Sequence, residues 1–461
     1  MEKKLPAGWL LVKVETIAEL LRGITYKKEQ ASNSSEKGFK PIIRANNING
    51  ELNFESLVYV PEDLISDSQL IRKDDIVFAM SSGSKHLVGK SARAIYDFDG
   101  SYGAFCALVR PSDCLCKPYL YYAFQENSFR ILISQVAKGS NINNLKREHI
   151  LTYSLPLAPL NEQKRIVAKI EELFSELDNG INALNTAYKQ LKVYRQAVLK
   201  HAFEGKLTAK WREHNNIAKS SWLDTTVQKL ALSGPSNGRS VKDRAGGFPV
   251  LRLTALKNGK IDLKESKEGA WDKDDAHKYI VNEGDFLFSR GNGSKHLVGR
   301  GGLVTKALFD VAFPDTIMRI SLDKTKVSPS FFSYLWESRL IRSQIESSAR
   351  TTAGIYKINQ QHVKSFRLML PSLTEQKVIT RIIEEKLSVV DAQLDELEQQ
   401  IAKAEILRQS ILKKAFSGQL VPQDPNDEPA SELLARIQAE KKTVTPQKTK
   451  KTRKIHSTPG H

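Results

Sequence analysis

The sequence predicts an α+β multidomain fold, in which two mixed α/β domains are separated by two long antiparallel α-helices that form a coiled-coil spacer. Three observations predict this fold: the chain repeats itself once, each copy begins with short strand-like runs, and each copy ends in a long apolar stripe of helical spacing. At roughly 100–200 residues per domain, 461 residues leave room for about two to four domains. Because the repeat is long and occurs twice, it indicates a pseudo-two-fold internal duplication rather than a solenoid of short repeats.

Matching segments establish the duplication. Three matches, in chain order, are Trp9 with Trp222, Gly83–Gly89 with Gly293–Gly299, and residues 162–207 with residues 375–420. The two Gly-bounded segments are identical letter for letter, and 18 of the 46 positions of the last pair are identical. The protein is therefore one unit that is written twice.

The first part of each copy predicts short strands, turns and one helix. In the first copy the predicted elements are an extended Pro41–Asn46, a hairpin turn at Asn49-Gly50, strands at Asp75–Met80 and Ala104–Val109, and a helix at Tyr119–Phe129. In the second copy the predicted strands are Asp285–Phe288 and Thr316–Ile320, and the predicted helix is Ser330–Trp336. This mixture is typical of a compact α/β domain.

The second part of each copy predicts a long helix that ends at a glycine, Gly205 in the first copy and Gly418 in the second. Apolar residues recur there every three or four positions, as in a coiled-coil seam. A long helix with one narrow stripe needs a partner, and the other copy is the simplest one. We expect an antiparallel pair with its centre near Ile181 and Leu394, although the alternative that each helix packs only on its own domain remains open.

The predicted domain boundaries follow the duplication. In order, the chain is divided into a first α/β domain (1–158), a first long spacer helix with linker (159–214), a second α/β domain (215–371), a second long spacer helix with a terminal segment (372–440) and a basic, disordered tail (441–461).

The charge distribution indicates an anionic partner. The net charge is +18, and residues 215–371 carry +10 of it against +3 for residues 1–158. A basic folded domain suits a polyanion such as nucleic acid, although a merely basic enzyme fits too. No apolar run is long enough to cross a membrane, the first residues lack a secretory apolar region, and three cysteines are too few for a disulfide framework. We therefore expect a cytoplasmic protein without membrane contact.

The segment Gly83–Ser91 is similar to a phosphate-binding loop, but its two glycines do not have the spacing that such a loop requires. Such a loop has four residues between its glycines, whereas five separate Gly83 from Gly89, and the second copy lacks the Lys-Ser ending. Cys114 and Cys116 lack ligands at zinc-site spacing. No nucleophile–base or paired-carboxylate signature recurs in both copies. The sequence therefore predicts a double binding module with no catalytic residue, no cofactor site and no metal site.

Several motifs resemble those of the specificity subunits (S subunits, HsdS) of type I restriction–modification systems, and the resemblance covers residues 5–440. The motifs are Leu5–Trp9, Pro156–Lys164, Ala202–Trp211, Leu370–Lys377 and Ala415–Ala430. The second copy departs from the pattern at Ser220-Ser221-Trp222, where the first has Pro6-Ala7-Gly8-Trp9.

The resemblance implies a sequence-specific DNA-binding subunit that is not itself an enzyme. It implies that residues 1–158 and 215–371 are target recognition domains, the first and second recognition domains. Each is expected to read one half of a bipartite site in double-stranded DNA, while the helices fix the spacer and dock two modification (methyltransferase) subunits. S-adenosylmethionine, ATP and magnesium are expected on partner subunits, which also include two restriction (translocase–nuclease) subunits where the system cleaves DNA. The alternatives are a free-standing DNA-binding regulator, an ATP-using enzyme and a coiled-coil adaptor.

Residues that are alike in the two copies are expected to serve shared or phosphate contacts, and residues that differ are expected to read bases. The shared candidates are Arg44, Ser84, Lys85, His86, Arg252, Ser294, Lys295 and His296. The base-reading candidates are Asn141, Asn143 and Arg147 in the first copy and Lys357, Asn359 and Gln360 in the second. A structural turn or a solvated surface is the alternative for each of them.

Overall fold

The computed structural model describes residues 5–82, 88–136, 143–257, 259–352 and 354–444. The chain divides into two compact units, with unit 1 formed by residues 1–182 and 400–461 and unit 2 by residues 183–399. Each unit combines a sheet-rich domain with parts of two long helices, so the predicted α+β fold class is confirmed. Among the described residues, no helix is long and apolar enough to span a membrane.

Unit 1 is built from short strands and short helices that lead into one long helix. In chain order its elements are β1 (Leu10–Lys13), α1 (Val14–Ile17), β2 (Ala18–Arg22), β3 (Phe39–Ile43), β4 (Ile48–Asn49), β5 (Glu51–Leu52), β6 (Val58–Pro61), β7 (Ile76–Ala79), β8 (Ser81–Ser82), β9 (Ser91–Arg93), β10 (Ser101–Tyr102), β11 (Cys106–Pro111), α2 (Lys117–Gln125), α3 (Asn127–Val136), β12 (Asn143–Asn144), α4 (Arg147–Leu151), β13 (Ser154–Leu157) and the start of α5 (Leu160–Phe203).

Unit 2 follows a similar order of elements. Its elements are α6 (Ala209–His214), β14 (Leu223–Thr226), α7 (Val227–Leu230), β15 (Ala231–Asn237), β16 (Asp243–Leu251), β17 (Leu256–Lys257), β18 (Lys260–Ile261), β19 (Ser266–Gly269), α8 (Lys273–Ala276), β20 (Asp285–Ser289), β21 (Gly291–Asn292), β22 (Gly301–Leu303), β23 (Ile317–Leu322), α9 (Pro329–Glu337), α10 (Arg339–Ser348), β24 (Arg350–Thr352), β25 (Ile355–Lys357), α11 (Gln360–Lys364), β26 (Arg367–Leu370) and most of α12 (Leu373–Ala415). The last helix, α13 (Ala430–Val444), belongs to unit 1.

The sheets of the two units correspond. Unit 1 has a four-stranded sheet in the order β2-β11-β7-β9, and unit 2 has a six-stranded sheet that contains the equivalent order β15-β23-β20-β22. Smaller pairs also recur, since β1 with β13 matches β14 with β26, and β8 with β12 matches β21 with β25. The central strands β7 and β20 are buried along their whole length, as their continuous apolar runs predict.

One predicted helix is two helices in the structure. The sequence predicts a single helix over Tyr119–Phe129, but α2 ends at Gln125 and α3 begins at Asn127. Glu126 between them is extended, with φ −68° and ψ 143°. The apolar pattern misses this break because both helices bury aromatic residues in one core, where Phe124 and Phe129 lie with ring centroids 4.9 Å apart.

The long helices run antiparallel within each unit. In unit 1 the beginning of α5, with Ile166 and Ile170, shares a core with Leu412 near the end of α12. In unit 2 Leu199 near the end of α5 shares a core with Ile383 near the beginning of α12. The prediction of antiparallel pairing is therefore confirmed.

Reciprocal ion pairs define the register of the helices. Arg195 pairs with Asp391 in unit 2, and the repeat-equivalent residues Asp178 and Arg408 pair in unit 1. These four residues are among the identities of the duplication, so the repeat preserves the contact as well as the residue types. The midpoints between these positions are residues 186–187 and 399–400. The predicted centre near Ile181 and Leu394 is therefore wrong, because the apolar stripe alone does not fix the register.

Both long helices end at the predicted glycines. Gly205 and Gly418 have φ of +76° and +70°, the left-handed region that glycine adopts without a steric penalty. The N–H of Lys206 donates to the carbonyl of His201 over 2.8 Å, and the N–H of Gln419 donates to that of Lys414 over 2.8 Å. Each helix thus ends in a Schellman motif.

The repeated Glu-Gln motif joins each domain to its helix. Trp9 Nε1 donates to Glu162 Oε2 over 2.9 Å, and Trp222 Nε1 donates to Glu375 Oε2 over the same distance. The adjacent Gln376 accepts from the N–H of Ser328 just before α9, as Gln163 accepts from the N–H of Cys116 just before α2. The identical residues therefore form a buried scaffold.

Candidate nucleic-acid interface

The same backbone frame carries different side chains in the two units. The N–H of Met80 donates to the carbonyl of Phe105 over 2.8 Å, and the N–H of Arg290 donates to that of Thr316 over 2.8 Å. The Met80 carbonyl accepts from Leu145 over 2.8 Å, just as the Arg290 carbonyl accepts from Ile358 over 3.0 Å. Met80 and Arg290 thus occupy equivalent half-buried positions at the ends of β7 and β20.

The helices α4 and α11 are equivalent in the same way. Lys146 donates its N–H to His149 Nδ1 over 3.3 Å, and Asn359 donates its N–H to His362 Nδ1 over 3.4 Å. Arg147 and Gln360, the first residues of the two helices, therefore correspond. The backbone frame is common to the two units and its half-buried side chains differ, which is the arrangement expected of base-reading residues.

A cleft of about 380 Å³ opens beside this frame in unit 2. It is lined by Asn237, Arg290, Asn359, Gln360, Gln361 and Lys364. The Asn359 Oδ1 accepts from the N–H of His362 over 2.8 Å, so the amide nitrogen of Asn359 remains available as a donor. The Oδ1 atom of Asn237 is buried and has no hydrogen-bond partner among the described residues. The cleft therefore offers amide donors and acceptors together with two cations.

A basic edge, defined as Arg290, Arg350, Lys357 and Lys364, combines the two cations of the cleft with two cations on the strands that pair next to Arg290. Arg350 and Lys357 lie directly opposite each other on the antiparallel strands β24 and β25, and both are exposed. Within the part of the chain that the structure describes, no carboxylate forms an ion pair with any of the four side chains. Like charges that face each other across strands are destabilising. The arrangement therefore favours an anion as the ligand of this edge.

The Gly-bounded turn of unit 2, Gly293–Gly299, is held by side chains that donate hydrogen bonds to its backbone carbonyls. Arg342 Nη1 donates to the Val298 carbonyl over 2.7 Å and its Nη2 to the His296 carbonyl over 3.0 Å, while Trp336 Nε1 donates to the Gly299 carbonyl over 2.7 Å. Burial lowers the pKa of the Arg342 guanidinium from its usual value, with partial compensation by Glu346. Because the backbone is anchored, the Lys295 and His296 side chains remain exposed and available. Ser294 is the second residue of this turn and is half-buried.

Arg44 and Arg252 have similar surroundings. Arg44 Nη2 donates to the Ser56 carbonyl over 3.2 Å, and Arg252 Nε donates to the Ser266 carbonyl over 3.2 Å. Each guanidinium thus donates to a carbonyl at or just before the start of a later strand, β6 for Arg44 and β19 for Arg252.

The candidates of the first copy are only partly described. Ser84, Lys85, His86 and Asn141 lie outside the described residues. Asn143 pairs with Ser82 in the short β8–β12 ladder, and Arg147 is half-buried at the start of α4. The ladder also shows that Asn144, opposite Ser81, takes the position that Lys357 takes opposite Gly291 in unit 2.

Asn237, Arg290, Arg350 and Lys364 are not among the candidates predicted from the sequence. Of these four residues, Arg290 is the easiest to find from the sequence. It directly follows β20 (Asp285–Ser289), at the position where the first copy has Met80. A comparison of the residues that flank the repeated turn would have found this difference. The remaining three come together only through strand pairing and the cleft, which the sequence does not show.

The described residues contain no group of histidine, cysteine or acidic side chains that could hold a metal ion. Cys106 is buried and is a free thiol, and burial raises the pKa of this thiol to about 12, so it is not a reactive thiolate at neutral pH.

Comparisons with known proteins agree with the sequence motifs. The family described as "Type I restriction modification DNA specificity domain" matches residues 6–186 and 233–406. The chain is 35% identical over 453 residues to the type I restriction enzyme EcoKI specificity subunit of Escherichia coli K12, and this match covers 95% of the chain and 96% of that protein. It is also 35% identical over 458 residues to the StySPI specificity subunit of Salmonella potsdam, with 97% and 98% covered.

A solved structure supports the fold. One chain from a study described as "Structural basis underlying complex assembly and conformational transition of the type I R-M system" aligns with a TM-score of 0.61 at 17% identity, covering 90% of this chain and 100% of that one. The family match spans both copies of the duplication, and the two relatives are matched over almost their whole length. The chain therefore belongs to the family of type I restriction enzyme specificity subunits and is a non-catalytic, DNA-specificity subunit.

Proposed function

We propose that this subunit recognises a bipartite site in double-stranded DNA, with each sheet-rich domain reading one half. The observation that carries the proposal is the pair of equivalent backbone frames, at Met80 and Arg290, which have matching hydrogen bonds and unlike side chains. A duplicated scaffold with different surface chemistry suits two different half-sites. The basic edge of unit 2 and the net charge of +18 supply the attraction to phosphates.

The two long helices set the spacer between the half-sites and provide the docking surface for two methyltransferase subunits. Their reciprocal Arg–Asp pairs and antiparallel cores support a fixed register. Exposed apolar side chains on both helices, such as Val193, Val389 and Ile406, support a further protein partner. S-adenosylmethionine binds to those methyltransferase subunits, and ATP and magnesium bind to restriction subunits where the system has them.

Assembly with methyltransferase subunits, followed by mapping of methylated adenines across a genome, tests the proposal. We expect methylation at one bipartite motif with two unlike halves and a constant spacer. Methylation without a motif, or at a continuous site, would contradict the proposal. A subunit that selects the motif without any partner would instead support the alternative of a free-standing regulator.

A further inference from the structure

Arg290 is a half-buried cation that is held in the structure by hydrogen bonds of its backbone and not of its side chain. Both backbone groups of Arg290 are hydrogen-bonded, to Thr316 and Ile358. Its guanidinium has no hydrogen bond or ion pair with any of the described residues. A guanidinium carries five N–H donors in a planar fork, so a half-buried one that lacks protein acceptors is suited to an external ligand.

The surroundings of Arg290 define the chemistry of that ligand. Gln360 and Gln361 line the same cleft, and the buried Oδ1 of Asn237 is an acceptor that no described residue satisfies. Amide groups pair with the edges of bases, while an arginine fork pairs with two acceptors of one base. A lysine, here Lys364, suits a phosphate as a point charge. The cleft thus combines groups for base edges with a group for the backbone.

The unit 1 equivalents distinguish base reading from a general DNA contact. Met80 replaces Arg290, Arg147 replaces Gln360, and Leu151 replaces Lys364, which ends α11 as Leu151 ends α4. A contact to phosphate serves any sequence and would be useful in both units. A position that changes from a cation to an apolar side chain on an unchanged frame is instead suited to a specific base.

We infer that the cleft is the base-reading site of the second recognition domain, and that the guanidinium of Arg290 recognises a guanine through its O6 and N7 acceptors in the major groove. The inference rests on the proposed function, because it assumes that unit 2 reads one half-site. Gln360 is placed to contact a neighbouring base, for which adenine is the partner that an amide pairs with bidentately.

Selection from a pool of randomised DNA duplexes, bound by the full chain assembled with its methyltransferase subunits, tests the inference. In Arg290→Met the side chain becomes the one that unit 1 has at this position. We expect preference for guanine at one position of the second half-site to fall by roughly 5- to 150-fold, with the first half-site unchanged. Arg290→Lys keeps the charge but loses the planar fork, so it should weaken the same preference without restoring that of the wild type.

Matched variants separate the outcomes. Lys264→Met removes an exposed cation of the same domain that does not line the cleft, and it should leave the selected motif unchanged. If Arg290→Met weakens all sequences alike while Arg290→Lys restores binding, Arg290 contacts phosphate and the inference is overturned. An unchanged motif overturns it equally.

If Arg290→Met does not fold, Gln360→Arg decides, since it should change the preferred base at one position of the second half-site only. A wild-type complex that selects no bipartite motif refutes the proposed function itself, which is a different result.

Discussion

Glu375 Oε1 accepts a hydrogen bond from Arg212 Nη1 over 2.7 Å, within a site where both side chains are almost fully buried. Thr208 donates to the same oxygen over 2.7 Å. The equivalent Glu162 has its tryptophan partner, but its Oε1 is buried without a hydrogen-bond partner among the described residues. The two joints between domain and helix are therefore alike in their Trp–Glu bond and unlike in the compensation of the carboxylate charge.

This difference predicts unequal effects of one substitution. Glu375→Gln leaves the buried Arg212 guanidinium without its counter-charge, and we expect it to lower the free energy of unfolding by about 3 kcal/mol or more. Glu162→Gln removes a buried charge that has no such partner, and we expect a change within about 1 kcal/mol at neutral pH. Urea unfolding of the two variants in parallel provides the measurement. Equal losses would show that Arg212 does not distinguish the joints.

The pH dependence of stability should also differ between wild type and Glu162→Gln. Burial raises the pKa of the Glu162 carboxyl above its ordinary value of 4.5, although the bond from Trp9 and the charge of Arg165 lower it in part. The folded state then binds this proton more tightly than the unfolded chain, so the stability that Glu162 contributes falls as pH rises through the window above 4.5. We expect the free energy of unfolding of the variant to rise relative to that of the wild type between pH 4.5 and pH 7, as measured by urea unfolding at each pH. A constant difference would contradict this assignment.

The sequence predicts the architecture well because the duplication and the apolar spacing are local patterns. The ends of the long helices at Gly205 and Gly418 follow from glycine's access to positive φ. The helix register does not follow, since it depends on which Asp meets which Arg across the pair. Likewise, Trp9 and Glu162 are visible as repeated letters, but the bond between them joins positions 153 residues apart.

The candidate interface is predictable only in part. Asn359 and Gln360 follow from the rule that differing residues read bases, and both line the cleft. Asn237 lies at the end of β15, far from them in sequence, and reaches the cleft through the sheet. Arg350 joins the basic edge only because β24 pairs with β25. Such neighbours depend on strand pairing, which composition and periodicity do not encode.

Exchange of residues 215–371 for the equivalent domain of a relative should change one half-site and leave the other intact. The donor domain must supply a tryptophan at the position of Trp222, because Glu375 and Arg212 of the host form the joint with it. Mapping of methylated adenines in cells that carry the hybrid provides the measurement. Simultaneous change of both half-sites would contradict a modular arrangement of the two domains.

Lys295→Ala tests the exposed side chain of the anchored turn in unit 2. If Lys295 contacts phosphate, the variant should weaken specific and non-specific DNA alike and flatten the slope of log affinity against log salt by about 0.9. Titrations at several salt concentrations measure this slope, with Lys264→Ala as the exposed control from the same domain. An effect on one sequence only would mean that Lys295 reads a base, and no effect would leave the turn with a structural role.

Paired insertions test whether the helices measure the spacer. Four residues added after Thr186 and four after Gln399 lengthen each helix by about 6 Å and rotate it by about 40°. These sites lie midway between the two reciprocal Arg–Asp pairs, so each pair keeps its own local register. Since DNA rises about 3.4 Å per base pair, the site should accept about one or two additional spacer base pairs with unchanged half-sites.

An insertion in α5 alone should be less stable, because its apolar stripe loses register with α12 and exposes Leu and Ile side chains. Sequencing of methylated sites decides the matter: an active complex with its original spacer would show that the helices do not set the distance.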